Sequence, residues 1–365
     1  MTVLSALQID WLPADQIGEL QQFIDEHWRR GHRLAYDEEL LRWQHRFPGN
    51  PERLSFLVAR AGGEIVGALG VIIVSFGMRG VRSSGGWLTT WIATPAARKG
   101  HGGLRLLRRA LEEPFGFVGT TGANETALTI YRALGFSIRE SIPRWVRVIS
   151  DDALATLLGE RSSLHGEPSQ TPPLIDGLRI STWSEAHASG WDELWERTLA
   201  PRLIGPWRDA AYVRWRYVEH PHFKYEVRVA EDRAGSVRGM AVHRLADVGG
   251  ADGGVARMVE LHGEAAAMTA LASDVIALAG RAGAAFAEFF CSAGDVAEPL
   301  QACGFTMERE PTHALPVLIE PLNRELPATL TGAFRADGGA RGDSTVFDSD
   351  ALYITRSDCD QDRPQ

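Results

Sequence analysis

The sequence predicts a mixed α/β protein built from two tandem units of one kind, each a mixed, mostly antiparallel sheet flanked by helices. Three observations predict it. Alternating apolar segments flank short glycine-containing turns, as hairpin strands do. Helical segments with apolar residues three and four apart alternate with these strands. The whole pattern then recurs: DEELLRW at 37–43 answers DAAYVRW at 209–215, 172 residues on, and RALGFSIRE at 132–140 answers QACGFTMER at 301–309, 169 residues on. Matches in the same order at nearly constant offset indicate duplication.

In the first unit a helix over 37–43 precedes the hairpin LSFLVAR (54–60) and EIVGALGVI (64–72), with GGE at its turn. GWLTTWIAT (86–94) is apolar enough for a central strand. GGLRLLRRALEE (102–113) places Leu104, Leu107 and Leu111 on one helical face and its arginines on the other. FGFVGTTG gives a short strand, and ETALTIYRALG (125–135) a helix stopped by Gly135. The second unit repeats the hairpin as YEVRVAE (225–231) and SVRGMAVHR (236–244), followed by the strand ARMVELHG (256–263) and the helix EAAAMTALASDVIALAG (264–280). The Ser-, Pro- and Gly-rich stretch RSSLHGEPSQTPPLIDG (161–177) reads as a linker. The expected organisation is therefore a first unit over 1–150, a linker over 151–177, a second unit over 178–322 and a tail over 323–365, with the strand-like ALYITRS before an acidic end. That tail is too short and polar to be a domain, so it either packs on the units or remains mobile.

Composition narrows the function. A chain of 365 residues that is 44% hydrophobic and 23% charged can fill two cores. It has no apolar run near the roughly 20 residues of a membrane span and no basic, then apolar, leader at its start, so a cytoplasmic location without membrane association is expected. With 47 acidic against 38 basic residues the net charge is -9, which gives no reason to expect nucleic-acid binding. Cys291, Cys303 and Cys359 form no CxxC pair, so neither a zinc ribbon nor a disulfide framework is expected, and no metal is assigned. The basic run Arg98, Lys99, Arg105, Arg108 and Arg109 is local and suits a small polyanion.

The main chemical signal is PAARKGHGG (95–103), between the central strand and the long helix. Gly100, Gly102 and Gly103 permit tight turning and close backbone approach, and the helix start offers unpaired N–H groups at the positive end of its dipole. A diphosphate fits there, with His101 in the same loop. Arg98 and Lys99 can add charge beside it, or point to solvent. The loop is neither a Walker A motif nor a GxGxxG fingerprint.

Residues 54–148 resemble the acyl-CoA-binding core of the GNAT N-acyltransferase superfamily, so the two units read as tandem GNAT-like domains. In that family a [Q/R]xxGx[G/A] loop holds the CoA pyrophosphate, and here AARKGHG keeps Gly100 and Gly102 but has Ala97 where Gln or Arg is expected. The segment NETALTIYRALGF matches better, with Asn124, Ala127, Tyr131, Gly135 and Phe136 in the N…A…YxxxGF pattern. The resemblance implies acetyl-CoA or a longer acyl-CoA as donor substrate. It implies a splayed pair of strands that admits the pantetheine arm, and cofactor contacts at Ile92, Thr94, Arg98, Lys99, Gly100, His101, Gly102, Gly103 and Asn124. It also places the thioester by Tyr131. A phenol beside the departing sulfur can act as general acid, because its pKa of about 10 is not far above a thiol's.

No base is evident, since GWLTTWIAT carries no carboxylate. His32 and His45 lie in the front segment expected to overhang the acceptor, but spacing assigns neither. The second unit has no glycine loop, and Leu300 stands at the Tyr131 position, so only one active centre is expected. Its role is to wall an acceptor cleft, with Trp215, Arg216, Tyr217, Glu260 and His262 as candidate contacts. The tandem arrangement and the C-terminal ITRSDCDQDRP resemble nucleotide-sugar N-acyltransferases of bacterial surface-polysaccharide pathways. That resemblance implies acyl transfer to the amine of a nucleotide-linked amino sugar; a homodimer is a separate expectation. Another small amine as acceptor, or a non-catalytic acyl-CoA-binding protein, are the alternatives.

Overall fold

The structure is a computed structural model that describes residues 7–158, 175–247, 254–308, 315, 318–319, 322–323, 330–336 and 344–362. The linker expected at 161–177 lies outside them except for its last three residues.

The first unit runs β1 (Gln8–Pro13), α1 (Ile17–His27), α2 (Glu38–Gln44), β2 (Arg53–Ala61), β3 (Glu64–Met78), β4 (Val81–Ala93), α3 (Pro95–Lys99), α4 (Gly102–Leu111), β5 (Phe117–Thr121), α5 (Glu125–Ala133), β6 (Ser137–Ile142) and β7 (Arg144–Val148). A helix α6 (Asp151–Leu158) follows, and its Leu154 and Leu157 pack with Val146, Val255 and Phe286. The second unit runs β8 (Leu178–Thr182), α7 (Ala188–Leu194), β9 (Ile204–Pro206), α8 (Ala210–Val213), β10 (Glu226–Asp232), β11 (Val237–Ala246), β12 (Val255–Gly263), α9 (Ala265–Arg281), β13 (Phe286–Phe290), α10 (Ala297–Ala302) and β14 (Thr306–Glu308). A ribbon of β15 (Leu318–Ile319) and β16 (Leu322–Asn323) precedes β17 (Leu330–Ala336). Helix α9 is apolar on most of its surface and is accordingly buried, with Leu271, Ala272 and Val275 fully enclosed.

Two sheets of the same design result. The first has the order β1-β2-β3-β4-β5-β17-β6, and the second has β8-β10-β11-β12-β13-β7-β14. In each, the fourth and fifth strands are parallel and every other neighbouring pair is antiparallel. Each sheet takes its sixth strand from beyond the expected boundary: β7 of the first unit completes the second sheet, and β17 of the C-terminal region completes the first. The local cause is plain. Only Pro143 separates β6 from β7, too little chain for a hairpin, so the strand runs on into the neighbouring sheet.

The repeated DxxxxRW segments meet between the sheets. Asp37 and Asp209 each cap their helix, accepting from Leu40 N and Tyr212 N at 2.9 Å. Trp43 Nε1 donates to Trp215 O at 3.1 Å, and Trp215 Nε1 donates back to Trp43 O at 3.3 Å. This reciprocal pair joins equivalent positions of the two repeats.

The described end of the tail, residues 344–362, packs on both units. ALYITRS forms no ladder; it is an extended segment wedged between the units, with single bridges from Leu352 to Ile204 and from Thr355 to Cys291. Its polar residues are buried because charged residues of the second unit meet them. Arg208 Nη2 donates to Asp358 Oδ2 at 2.7 Å, Arg244 Nη2 to Asp362 Oδ1 at 2.8 Å, and Arg356 Nη1 to Glu288 Oε1 at 3.2 Å.

Candidate active site

Strands β4 and β5 pair only from Gly85 to Trp87, against Phe117 to Gly119. Beyond Trp87 they part. One cause is a bulge in β4: Gly70 faces Thr89 while Ala68 faces Ile92, so β4 holds an extra residue, and Thr90 adopts a φ of 45°, rare for a β-branched side chain. The other is Gly122, whose φ of 69° turns β5 away into α5. The parting opens a cleft of about 1130 Å³ that runs between the start of α4 and the length of α5.

At one end of the cleft, Thr94 caps α3 by accepting from Ala97 N at 3.2 Å, with Pro95 at the first helical position. His101 then takes a left-handed conformation and starts α4 with no side-chain cap. The N–H groups of Gly102, Gly103 and Leu104 therefore have no partner within the helix, and the helix dipole adds positive potential there. Arg98, held by a 2.9 Å bond from Nε to Ala93 O, and Arg108 line the cleft beside this terminus. Ala97, the departure from the family loop, is buried under Gly102, where an added Cβ would lie 3.1 Å from Ala97 O and 3.3 Å from its Cβ. A side chain at Gly103 would lie 3.3 Å from Trp91 Nε1, which donates to Gly103 O.

Of the cofactor contacts expected from sequence, Ile92, Arg98, His101, Gly103 and Asn124 line the cleft, whereas Thr94, Lys99, Gly100 and Gly102 do not. Asn124 also caps α5, accepting from Ala127 N at 2.9 Å. Leu104 faces the cleft, and the buried stripe of α4 is Leu106, Leu107 and Ala110 rather than Leu104, Leu107 and Leu111. Tyr131 lines the cleft and is otherwise buried, hydrogen-bonded to Thr120 and packed on Phe136. Burial first, then the nearby Cys359 and Asp360, pushes its phenol well above the usual range, so it stays neutral.

None of the seven expected acceptor contacts lines this cleft. His32 accepts from Leu34 N and stacks on Trp28, and His45 packs against Phe56. Trp215 is paired with Trp43, and Arg216 donates to Ser357 O and Asp362 O. Tyr217 donates to Glu260 Oε1 at 2.5 Å, Arg208 donates to the same oxygen at 2.6 Å, and His262 meets Glu260 Oε2 at 3.0 Å. Burial alone would raise Glu260, but Arg208 and His262 outweigh it and hold the carboxyl at about 2. These side chains seat the tail. In the second sheet β12 and β13 also part after Met258 and Phe289, and there Tyr353 fills the gap, its hydroxyl bonded to both N and O of Leu261 at 3.0 Å. Leu300, at the Tyr131 position, is buried in the apolar core.

The tail then reaches the first sheet. Cys359 Sγ lies 3.5 Å from Leu88 O on β4, and Gln361 Nε2 donates to Thr121 O on β5 at 3.1 Å, so 359–361 spans the parted strands. Asp360 is the one carboxylate lining the cleft among the described residues. Sequence reasoning missed it, together with Thr89, Thr90, Thr121, Gln361, His27 and Trp28. The doubled threonines in GWLTTWIAT and VGTTG were the available signal for the polar wall. Among the described residues no group of three or more His, Cys, Asp or Glu could hold a metal, and no helix is long and apolar enough to cross a membrane.

No family model matches the sequence, and no curated protein matches it. Solved structures do match in shape. A GCN5-related N-acetyltransferase from Anabaena variabilis superposes with a TM-score of 0.60 at 12% identity, covering 91% of this chain and 73% of that one. A probable N-acyltransferase from Enterococcus faecalis gives 0.56 at 11% identity, covering 91% and 72%. Saccharomyces cerevisiae N-myristoyltransferase with bound myristoyl-CoA gives 0.54 at 14% identity, covering 92% and 79%. With its two equivalent sheets, each parted between the fourth and fifth strands, the chain has the fold of the GCN5-related N-acetyltransferases in two copies.

Proposed function

We propose that the protein is an acyl-CoA-dependent N-acyltransferase with one active centre, in the first unit. The observation that carries this reading is the uncapped α4 terminus at the mouth of parted strands, with Tyr131 further along the same cleft. The CoA diphosphate meets the N–H groups of Gly103 and Leu104 and the guanidinium groups of Arg98 and Arg108. The pantetheine arm follows the unpaired edge of β4 toward Tyr131. The amine attacks the thioester carbon directly, and Tyr131 acts as general acid to the departing sulfur. Its raised pKa favours donation of a hydrogen bond to the thiolate over early loss of the proton. The second unit binds no CoA, because Tyr353 occupies its gap.

The finer acceptor reading is the amine of a nucleotide-linked amino sugar. It rests on the resemblance of the whole chain, and Trp28, 40% exposed at the cleft wall, is a surface on which a base or sugar can stack. A smaller free amine is favoured by a different observation: the aromatic and arginine cluster around Trp215, Arg216 and Tyr217 is enclosed and offers no second platform. Thiol release from acetyl-CoA and from longer acyl-CoA, measured against both acceptor classes, decides between them. Turnover with nucleotide amino sugars supports the first, and turnover with free amines alone supports the second. Tight CoA binding without thiol release for any acceptor leaves the non-catalytic alternative.

A further inference from the structure

Three residues of the cleft wall, Thr89, Thr90 and Thr121, carry a hydroxyl with no hydrogen-bond partner among the described residues, although each residue is more than nine-tenths buried. Buried polar atoms are almost always paired, and one left unpaired is costly, so three together imply a missing partner. Thr89 and Thr90 come to the cleft as consecutive residues because of the extra residue in β4, and Thr121 closes β5 on the other side. Asp360 belongs to the same place. Its neighbours Cys359 and Gln361 touch Leu88 O and Thr121 O, next to Thr89 and at Thr121, and Asp360 Oδ1 accepts from Gln361 Nε2 at 2.9 Å.

We propose that Thr89, Thr90, Thr121 and Asp360 form the socket for the acceptor's primary amine, with Asp360 as the base that takes its proton. This rests on the reading of the chain as an N-acyltransferase and supplies the base that β4 lacks. A primary ammonium has three N–H donors and one positive charge; the carboxylate takes the charge and one N–H, and hydroxyl oxygens of the wall take the other two. A secondary amine presents one donor fewer and a methyl group that meets a hydroxyl, so the socket discriminates against it. The ammonium gives one proton to Asp360, and the freed lone pair forms the C–N bond while the C–S pair departs on sulfur. Tyr131 supplies the proton that makes the thiol and recovers one from the substituted nitrogen. Asp360 then releases its proton to solvent.

The test uses the full chain and acetyl-CoA, with glucosamine, lysine, tryptamine and a UDP-linked amino sugar as primary-amine probes and N-methyl counterparts beside them. Acetyl-CoA affinity is followed by calorimetry. The expected result is turnover of at least one primary amine with about tenfold or greater preference over its N-methyl form. Asp360→Asn lowers kcat/KM about a hundredfold at pH 7, with acetyl-CoA affinity unchanged and a deficit that narrows as pH rises and more free amine is present. Thr90→Val raises KM about tenfold, and Thr90→Ser, which keeps the hydroxyl, restores it. Equal rates for methylated and unmethylated amines, variants indistinguishable from wild type, or bound acetyl-CoA with no probe accepted would each overturn the socket. Failure of acetyl-CoA to bind would instead overturn the reading on which it rests.

Discussion

Glu288 is fully buried on β13 and joins three parts of the chain. Arg144, on the exchanged strand β7, donates to it from Nε at 2.9 Å and Nη2 at 2.7 Å. Arg257 on β12 donates at 2.8 Å, and Arg356 of the tail at 3.2 Å. Burial works against its charge, but the three arginines outweigh burial and hold the carboxyl at about 2 instead of 4.5. A carboxyl so depressed adds about 3 kcal/mol to stability wherever it is ionised in both states, at the lower edge of the roughly 3–5 kcal/mol lost when a buried pair is broken. Glu288→Gln is therefore expected to cost about 3 kcal/mol at pH 7, equivalent to a Tm lower by about 4 °C for a chain of this size. Because each sheet contains a strand from the other side, both units should unfold in one transition, and that single transition should move. A depressed carboxylate gives its full contribution above its ordinary pKa, so the difference between variant and wild type should shrink as pH falls from 4.5 toward 2. Calorimetry across that range checks both statements. A Tm at pH 7 within a degree of wild type would refute the energetic argument, and two transitions with only one displaced would refute the coupling.

Tyr131→Phe removes the proton donor but keeps the packing on Phe136, so turnover should fall at least about tenfold with CoA affinity unchanged; unaltered turnover would remove the acid assignment. Gly103→Val puts a branched side chain where even a Cβ meets the Trp91 indole at 3.3 Å, and it crowds the N–H groups of the α4 terminus. CoA affinity measured by calorimetry should drop about tenfold or more, and an unchanged value would place the diphosphate elsewhere.

Much of the architecture was legible because it is written locally. The hairpins, the long helices and the glycine turn each carry their own periodicity and breakers, and Asn124 to Phe136 marked the helix that holds Tyr131. The exchange of β7 and β17 was not legible, since a strand looks the same whichever sheet receives it, and only the single residue between β6 and β7 pointed that way. What the tail packs on was hidden for a related reason. SDCDQD carries no local sign of its partners, because Arg208, Arg216, Arg244 and Arg257, scattered over some fifty residues, are brought to it only by folding. Those cations and the aromatics around Trp215 have the composition of a ligand platform, yet their ligand is the chain itself. Asp360 was hidden by the same circumstance, because nothing local ties residue 360 to a cleft made by residues 88–131.

The central claim is that the α4 terminus holds the CoA diphosphate while the acyl arm passes between β4 and β5. A structure of the full chain soaked with acetyl-CoA tests it most directly. The account predicts phosphate oxygens within hydrogen-bonding distance of the Gly103 and Leu104 amides and the thioester beside Tyr131. CoA seated against the second sheet, or an empty first cleft at saturating acetyl-CoA, would contradict it.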